Sequence, residues 1–310
     1  MTERQTVAII GGGAAGLAAA VAAAECGDRV IVLERLDRVG KKLLATGNGR
    51  CNLMNTGDLC YYGETRIVDY VMTLCGEKEQ RRFWRTHGLA LHDEDEGRVY
   101  PVTLQASSVL DVLRFSMDKL GVEARTGVRV EAIERTDAGW RVRWEGGEVP
   151  CDRVIVCGGG KAQPRLGSDG SAYALLQGFG HKLVQPKPAL TQIETGTEPI
   201  RGLAGIRVQG AVTVLSGGKR MKRARGEILF TDYGLSGICA MQVARWVTPK
   251  AGLSLNLMPW MSGVNDVLND LRHRRNIWRS EPAERLLCGL FAPRLADRLA
   301  EAAHVGLRDR

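Results

Sequence analysis

Apolar residues fall into two periods within the first 34 positions of this chain. Val7-Ala8-Ile9-Ile10 is an unbroken apolar run, the pattern of a strand buried on both faces of a sheet. Leu17 to Ala24 is almost pure alanine and predicts a helix. Arg29-Val30-Ile31-Val32-Leu33 repeats the strand pattern and ends on Glu34. Residues 35–63 read as a long loop, followed by helical stretches near Arg66–Leu74 and Glu79–Thr86. Residues 91–97 read as an acidic turn and Arg98–Pro101 as a short edge strand. Over Gln105–Leu120, the residues Val109, Leu110, Val112, Leu113, Phe115, Met117 and Leu120 predict a helix with an apolar face. Val128–Glu134, Trp140–Trp144 and Asp152–Val156 read as strands, the first two a meander turning at Asp137-Ala138-Gly139. Residues 171–180 read as helix. Gln185-Pro186-Lys187-Pro188 is a stiff connector and marks a domain boundary. Past it, Ile206–Leu215 and Arg225–Phe230 read as strands about a Ser216-Gly217-Gly218 turn, and Leu253–Leu257 as another. Residues 263–278, 282–290 and 292–303 read as helices.

Between the first strand and its helix lies Gly11-Gly12-Gly13-Ala14-Ala15-Gly16, which fits G-x-G-x-x-G at Gly11, Gly13 and Gly16. Gly11 permits a tight turn, Gly13 lets backbone approach a pyrophosphate, and Gly16 lets the helix pack against the sheet. The helix start offers free N–H groups and a positive dipole end to phosphates. Glu34 lies about 20 residues on, where a carboxylate accepts hydrogen bonds from a ribose and repels a 2′-phosphate. A glycine-rich turn between any strand and helix is the plainer alternative. Strand, glycines, small-residue helix, second strand and terminal acid in that order favour a dinucleotide site.

Composition refines this picture. The 310 residues include 38 glycines, which cluster beside apolar strands, and carry a formal charge of +8 that suits an anionic ligand. The eight cysteines form no C-x-x-C pair, which argues against a zinc ribbon or a thioredoxin-like couple and for a reducing cytoplasm. The N-terminal apolar run lacks a basic leader, so no signal peptide is expected, and no apolar stretch is long enough for a membrane span. The five histidines show no metal-ligand spacing, and no metal is expected. Lys219-Arg220-Met221-Lys222-Arg223-Ala224-Arg225 is strongly basic, but no aromatic residues interleave with it as base stacking requires. It reads as a charged hairpin edge that resists strand pairing, and no specific nucleic-acid partner is expected.

Gly40-Lys41-Lys42-Leu43-Leu44-Ala45-Thr46-Gly47-Asn48-Gly49-Arg50-Cys51-Asn52, with Asn55 beyond it, resembles the hallmark loop of the bacterial BaiN/YhiN-type FAD-dependent oxidoreductases, which include the aminoacetone oxidases. Val156 to Gly170 is similar to that family's second glycine loop, with Lys161, Pro164, Gly167 and Ser168 in place. Ala162 stands where serine is usual there, and Ser171-Ala172 where Asp-Gly is usual. Gly226 to Gly237 resembles the signature of the family's inserted domain, with Asp232 replacing a common histidine and Ile238 a common proline. These departures leave the fold expectation standing and the substrate open.

The resemblance implies an α/β fold: a Rossmann-like FAD-binding domain over residues 1–190 and a β-rich plus helical insert over 191–310. It implies FAD as cofactor and hydride transfer between a small organic substrate and either NAD(P)H or oxygen. The expected cofactor-binding residues are Gly11, Gly13, Ala14, Ala15, Gly16, Glu34, Arg35, Gly40, Lys41, Lys42, Gly49, Arg50, Cys51, Asn52, Val130, Cys157, Gly158 and Gly159. Cys51 is expected to be structural, since the family pattern carries it without thiol chemistry. No catalytic acid or base is assigned. Members of the family run on past the position of Arg310 and return to the flavin domain. A chain ending there is therefore expected to lack a closing segment of the pocket and to hold FAD weakly. An NAD-dependent dehydrogenase using the same glycine turn, and a non-catalytic nucleotide-binding fragment, are the alternatives.

Overall fold

The computed structural model describes residues 4–57, 60–281 and 283–303, so His304 lies outside the described residues. The chain divides into two compact units, Met1–Val184 and Gln185–Arg310.

In the first unit the elements run β1 (Thr6–Ile10), α1 (Ala14–Glu25), β2 (Arg29–Leu33), α2 (Lys41–Leu44), β3 (Met54–Asn55), α3 (Thr65–Leu74), α4 (Glu77–Thr86), β4 (Leu91–Asp93), β5 (Arg98–Pro101), α5 (Ala106–Lys119), β6 (Glu123–Arg125), β7 (Val130–Thr136), β8 (Gly139–Trp144), β9 (Gly147–Cys151), β10 (Arg153–Val156) and α6 (Ala172–Gln177). Four strands form a parallel sheet in the order β10-β1-β2-β6. Side chains alternate across a strand, so β1 and β2 serve two cores at once. Val7, Ile9, Val30 and Val32 face α1 and α5, meeting Leu17, Val21, Val109 and Leu113. Ala8, Ile10, Ile31 and Leu33 face the antiparallel meander β7-β8-β9, meeting Val142, Val149 and Cys151. Both faces being covered is what makes β1 and β2 continuous apolar runs.

Three local expectations change. Arg98–Pro101 is not an edge strand: β5 lies in the middle of a small sheet, β3-β5-β4, because Met54–Asn55 is recruited to its free side from the 35–63 loop. That loop is also more structured than its glycines and asparagines suggest, holding α2 and a 3-10 turn at Thr46–Gly49. On α5, Phe115 is 70% exposed while Val109, Leu110, Leu113 and Met117 are buried, so the helix turns a narrower apolar face inward than its composition implies.

The second unit contains β11 (Ile193–Glu194), β12 (Arg207–Ser216), β13 (Lys219–Thr231), β14 (Gly234–Ser236), α7 (Ile238–Val243), β15 (Gly252–Asn256), α8 (Val264–Ile277) and α9 (Pro293–Ala302). Its five strands form a sheet of their own in the order β11-β14-β13-β12-β15, every pair antiparallel. Residues 207–231 therefore pair within this sheet and not with the parallel one. Val212, Val214, Ile228 and Phe230 form its core with Cys239, Val243 and Leu295. Residues 282–290, expected as an α-helix, contain the 3-10 turn Ala283–Leu287. The basic run occupies the first half of β13. Pairing with β12 there is continuous, whereas β14 reaches only Leu229–Thr231, so Lys219 to Gly226 present a free strand edge.

Candidate cofactor groove

The parallel sheet fixes where a ligand can sit. The chain leaves β1 for β2 on one side and later returns to β10 on the other. The switch in strand order lies between β1 and β10, and ligands of such sheets bind outside the carboxyl ends of the strands at that point. Gly11, with φ of 102°, follows β1, and Cys157-Gly158-Gly159 follow β10. A Cβ on Gly11 would lie 2.6 Å from the Cys157 carbonyl oxygen, so the two turns touch backbone to backbone.

The glycines of the first turn have distinct jobs. A Cβ on Gly16 would lie 1.9 Å from the Gly11 carbonyl oxygen, and one on Gly12 would lie 2.7 Å from Val39 Cγ1. Gly13 alone of the four faces open space, with nothing within 4 Å of its missing Cβ. The Gly12 N–H donates to Glu34 Oε2 at 2.7 Å, and its carbonyl accepts the Gly40 N–H at 2.8 Å. Glu34 Oε1 accepts the Leu36 N–H at 2.8 Å. Glu34 is thus a brace between the end of β2 and the glycine turn as well as a groove-lining acid. An alanine there would strip two backbone donors of their partner, so Glu34 bears on the fold as well as on the ligand.

Two adjoining hollows flank Glu34. One is walled by Ile10, Leu33, Val128, Val130 and Leu175, with Arg35, Gly158 and Gly167 at its rim. The other runs along Gly11–Gly13, Arg38, Gly40, Lys41, Lys42, Cys157–Gly159 and Ser168. The first sets Ile10, Leu33, Val128, Val130 and Leu175 against the polar Glu34, Arg129 and Ser171, a mixture that suits the base and ribose of an adenosine; the second is basic, glycine-lined and lies at the start of α1, as a pyrophosphate requires. The residues present therefore fit the ADP half of FAD.

Of the expected set, Gly11, Gly13, Glu34, Arg35, Gly40, Lys41, Lys42, Val130, Cys157, Gly158 and Gly159 line this groove. Gly16 packs beneath it. Ala14 and Ala15 are exposed at the start of α1. Gly49, Arg50, Cys51 and Asn52 are not among the lining residues of either hollow. Arg50 forms an ion pair with Glu94 and stacks its guanidinium 4.2 Å from the Tyr100 ring centroid. Gly40 has a packing reason to be glycine, since a Cβ would lie 2.3 Å from Leu110 Cδ1. Cys51 is buried at a positive φ of 58°, and burial raises its thiol pKa above the ordinary value, as it does for Cys157.

The loop after β10 supplies what the cofactor set lacked. Ser168 is buried, and Lys42 Nζ donates to its hydroxyl at 2.5 Å. Arg35 Nη1 donates to Asp169 Oδ2 at 2.7 Å and to Ser171 Oγ at 3.3 Å. The Arg35 bond, joined by the Ser171 N–H, holds the Asp169 carboxyl well below the ordinary carboxylate range. Lys41 pairs with Asp37. The resemblance pointed to Ser168 as a family position; nothing in local sequence marks its contact with Lys42, 126 residues away. Among the described residues no group of three or more His, Cys, Asp or Glu could hold a metal, and no helix is long and apolar enough to cross a membrane.

Residues 5–263 match the HI0933-like protein Rossmann domain. The chain is 37% identical to 3-dehydro-bile acid delta(4,6)-reductase of Clostridium scindens, over 96% of this chain and 75% of that protein. It is 26% identical to ribosomal RNA dihydrouridine synthase of Escherichia coli, over 98% and 75% of the two chains. Among solved structures, a 3-ketosteroid-delta4-(5alpha)-dehydrogenase from Rhodococcus jostii superposes on part of the chain, with a TM-score of 0.36, 20% identity and 51% and 47% of the two chains covered. The match over residues 5–263 and the identity along nearly the whole chain place this protein in the HI0933-like Rossmann family, and it is an FAD-dependent oxidoreductase.

Proposed function

We propose that FAD lies across the carboxyl ends of β1, β2 and β10, with its pyrophosphate over Gly11–Gly13 and its adenosine beside Glu34 and Val130. Gly13 carries the reading. The missing side chains of Gly11, Gly12 and Gly16 make room for other parts of the protein, whereas Gly13 faces open space along the basic hollow at the start of α1. Bound FAD supplies a two-electron centre. The chain's own groups bind and tune it. Arg38, Lys41 and Lys42 line the basic hollow and offset the pyrophosphate charge, with Lys42 held by Ser168. Glu34, already fixed by two backbone donors, keeps lone pairs for ribose hydroxyls. Arg35 is held at the rim by Asp169.

We infer a reductive direction. Both relatives bear names that describe hydrogen added across a carbon–carbon double bond: the delta(4,6) unsaturation of a 3-dehydro-bile acid, and the uridine that becomes dihydrouridine. The proposed substrate class is an organic molecule with such a bond next to a carbonyl, and the proposed electron source is NAD(P)H, with oxygen as the alternative electron partner. The eight free cysteines suit work in a reducing cytoplasm. The test is anaerobic. The protein, loaded with FAD, should bleach on addition of NADH or NADPH. Its colour should then return with a steroidal 4,6-dien-3-one acid or a uridine-containing ribosomal RNA fragment. Colour returning only on admitting air makes the protein an oxidase, and a protein that binds no flavin defeats the reading.

A further inference from the structure

A second groove, of about 520 Å³, lies wholly within residues 223–299, on the second unit. One wall is the free-edged half of β13, from which Arg223 and Arg225 project. Asn256 and Met258 follow from the end of β15, Gly263 and Val264 start α8, and Phe291 and Leu299 close the far side. Two arginines and no acid line it. Neither guanidinium has an ion-pair partner among the described residues; Arg225 is exposed at the mouth, whereas Arg223 is half-buried and its Nε is buried with no hydrogen-bond acceptor. Burying a cationic N–H without a partner is costly, and most such groups in folded proteins are satisfied. Of the acids nearby, Glu227 pairs with Arg207 and Asp270 with Arg274, while Asp266, in the first turn of α8, lies in the adjoining hollow, outside this groove's lining, and accepts the Ser262 N–H. The first turn of the 14-residue α8 adds unpaired N–H groups at the same rim. Beside these charges the groove has an apolar side formed by Met258, Met261, Phe291 and Leu299, with Asn256 and Ser262 the other polar lining residues. Methionine in particular adapts to ligands of varied shape.

We propose that this groove binds an organic anion with an apolar body, its carboxylate held by Arg223 and Arg225 and its body lying on Met258, Met261, Phe291 and Leu299. A plain inorganic anion leaves the apolar wall unused, and a neutral lipid leaves the buried Arg223 Nε–H without an acceptor.

Calorimetric titration of the intact FAD-loaded chain with octanoate, 1-octanol and inorganic phosphate tests this. Octanoate should bind about tenfold or more tightly than either control, as expected when charge-assisted hydrogen bonds add to apolar contact. The double variant R223Q/R225Q should bring octanoate down to the affinity of octanol, with melting temperature and flavin content unchanged. The single variant Arg223→Met, which removes the orphaned N–H and keeps the bulk, should melt no lower than the parent. Equal affinity for octanoate and octanol, octanoate binding unaltered in the double variant, or phosphate binding as tightly as octanoate would each overturn the proposal. So would a concentration-dependent dimer that octanoate does not dissociate, since a second copy would then fill the groove. Binding is read without turnover and can be repeated on the flavin-free chain, so failure here leaves the oxidoreductase reading intact, and the reverse holds too.

Discussion

At the scale of single residues, the glycine turn separates folding from binding. Gly16→Ala puts a carbon 1.9 Å from a backbone oxygen that a flexible side chain could have yielded but a turn cannot. It should lower the melting temperature of flavin-free protein sharply. Gly13→Ala meets nothing in the protein and costs only a poorer N-cap of α1, so flavin-free protein should melt slightly below the parent and well above Gly16→Ala, while FAD affinity falls by about a hundredfold, through displacement of the pyrophosphate from the backbone. Fluorescence titration with FAD and a thermal melt of both variants check the pair; Gly13→Ala binding FAD normally would remove the pyrophosphate from that turn. Glu34→Gln is the matching polar case. Each of its carboxylate oxygens faces a backbone N–H, so an amide must point its own NH2 at one of them. Urea unfolding of the flavin-free variant should show a loss of about 1–3 kcal/mol, on top of any loss of flavin. Cys51, Cys151 and Cys239 are buried with raised thiol pKa values, while Cys26, Cys60, Cys75 and Cys288 are exposed. Iodoacetamide at neutral pH should therefore label the exposed four first, by peptide mass mapping, and early labelling of Cys51 would contradict a structural role.

At the scale of elements, the loop after β10 is pinned to β2 by Arg35 and Asp169, and this link has a pH signature. The Asp169 carboxyl titrates lower folded than unfolded. Its stabilising effect is therefore complete above the unfolded value, about pH 4, and is lost as the pH falls through the lower folded value. The difference in stability between the parent and Asp169→Asn should shrink as acid is added below pH about 4 and stay constant above it; a constant difference down to the acid-unfolding limit would mean that the pair is not formed. The free edge of β13 makes a second expectation. Replacing Lys219 and Arg220 by threonine removes charge from an unpaired strand edge and should raise concentration-dependent light scattering, without moving the melting temperature.

The same elements show what the sequence could convey. β1, α1 and β2 are legible to within a few residues because alternation, alanine content and glycine placement act locally. β6 is Glu-Ala-Arg, and its strand state comes from β2 needing a neighbour, not from its own residues. β11 and β14 are likewise two- and three-residue segments defined by their partners. The groove is legible where glycines and acids recur at fixed spacing from a strand. It is opaque where Ser168 and Asp169 arrive from more than 120 residues away, and where Arg50 finds Glu94 and Tyr100.

At the scale of the whole molecule, residues 185–192 have no regular structure and follow the strongly exposed Val184. Lys187 precedes proline and resists trypsin, so brief digestion should cut just ahead of this stretch, after Lys182, and release two fragments near the sizes of the two units; earlier cleavage within β12 or β13 would argue against a connector there. The order of the parallel sheet also bears on how the protein is born. β1 takes β2 as a neighbour within some twenty residues, but its other flank belongs to β10, whose pairing matches Ile10 with Val156. On a translating ribosome at roughly 5–20 residues per second, that flank stays open for on the order of ten seconds. Throughout that interval the most apolar ribbon of the chain is an unfinished surface. The nascent protein should then depend on chaperones that shield its N-terminal strand until the tenth strand emerges.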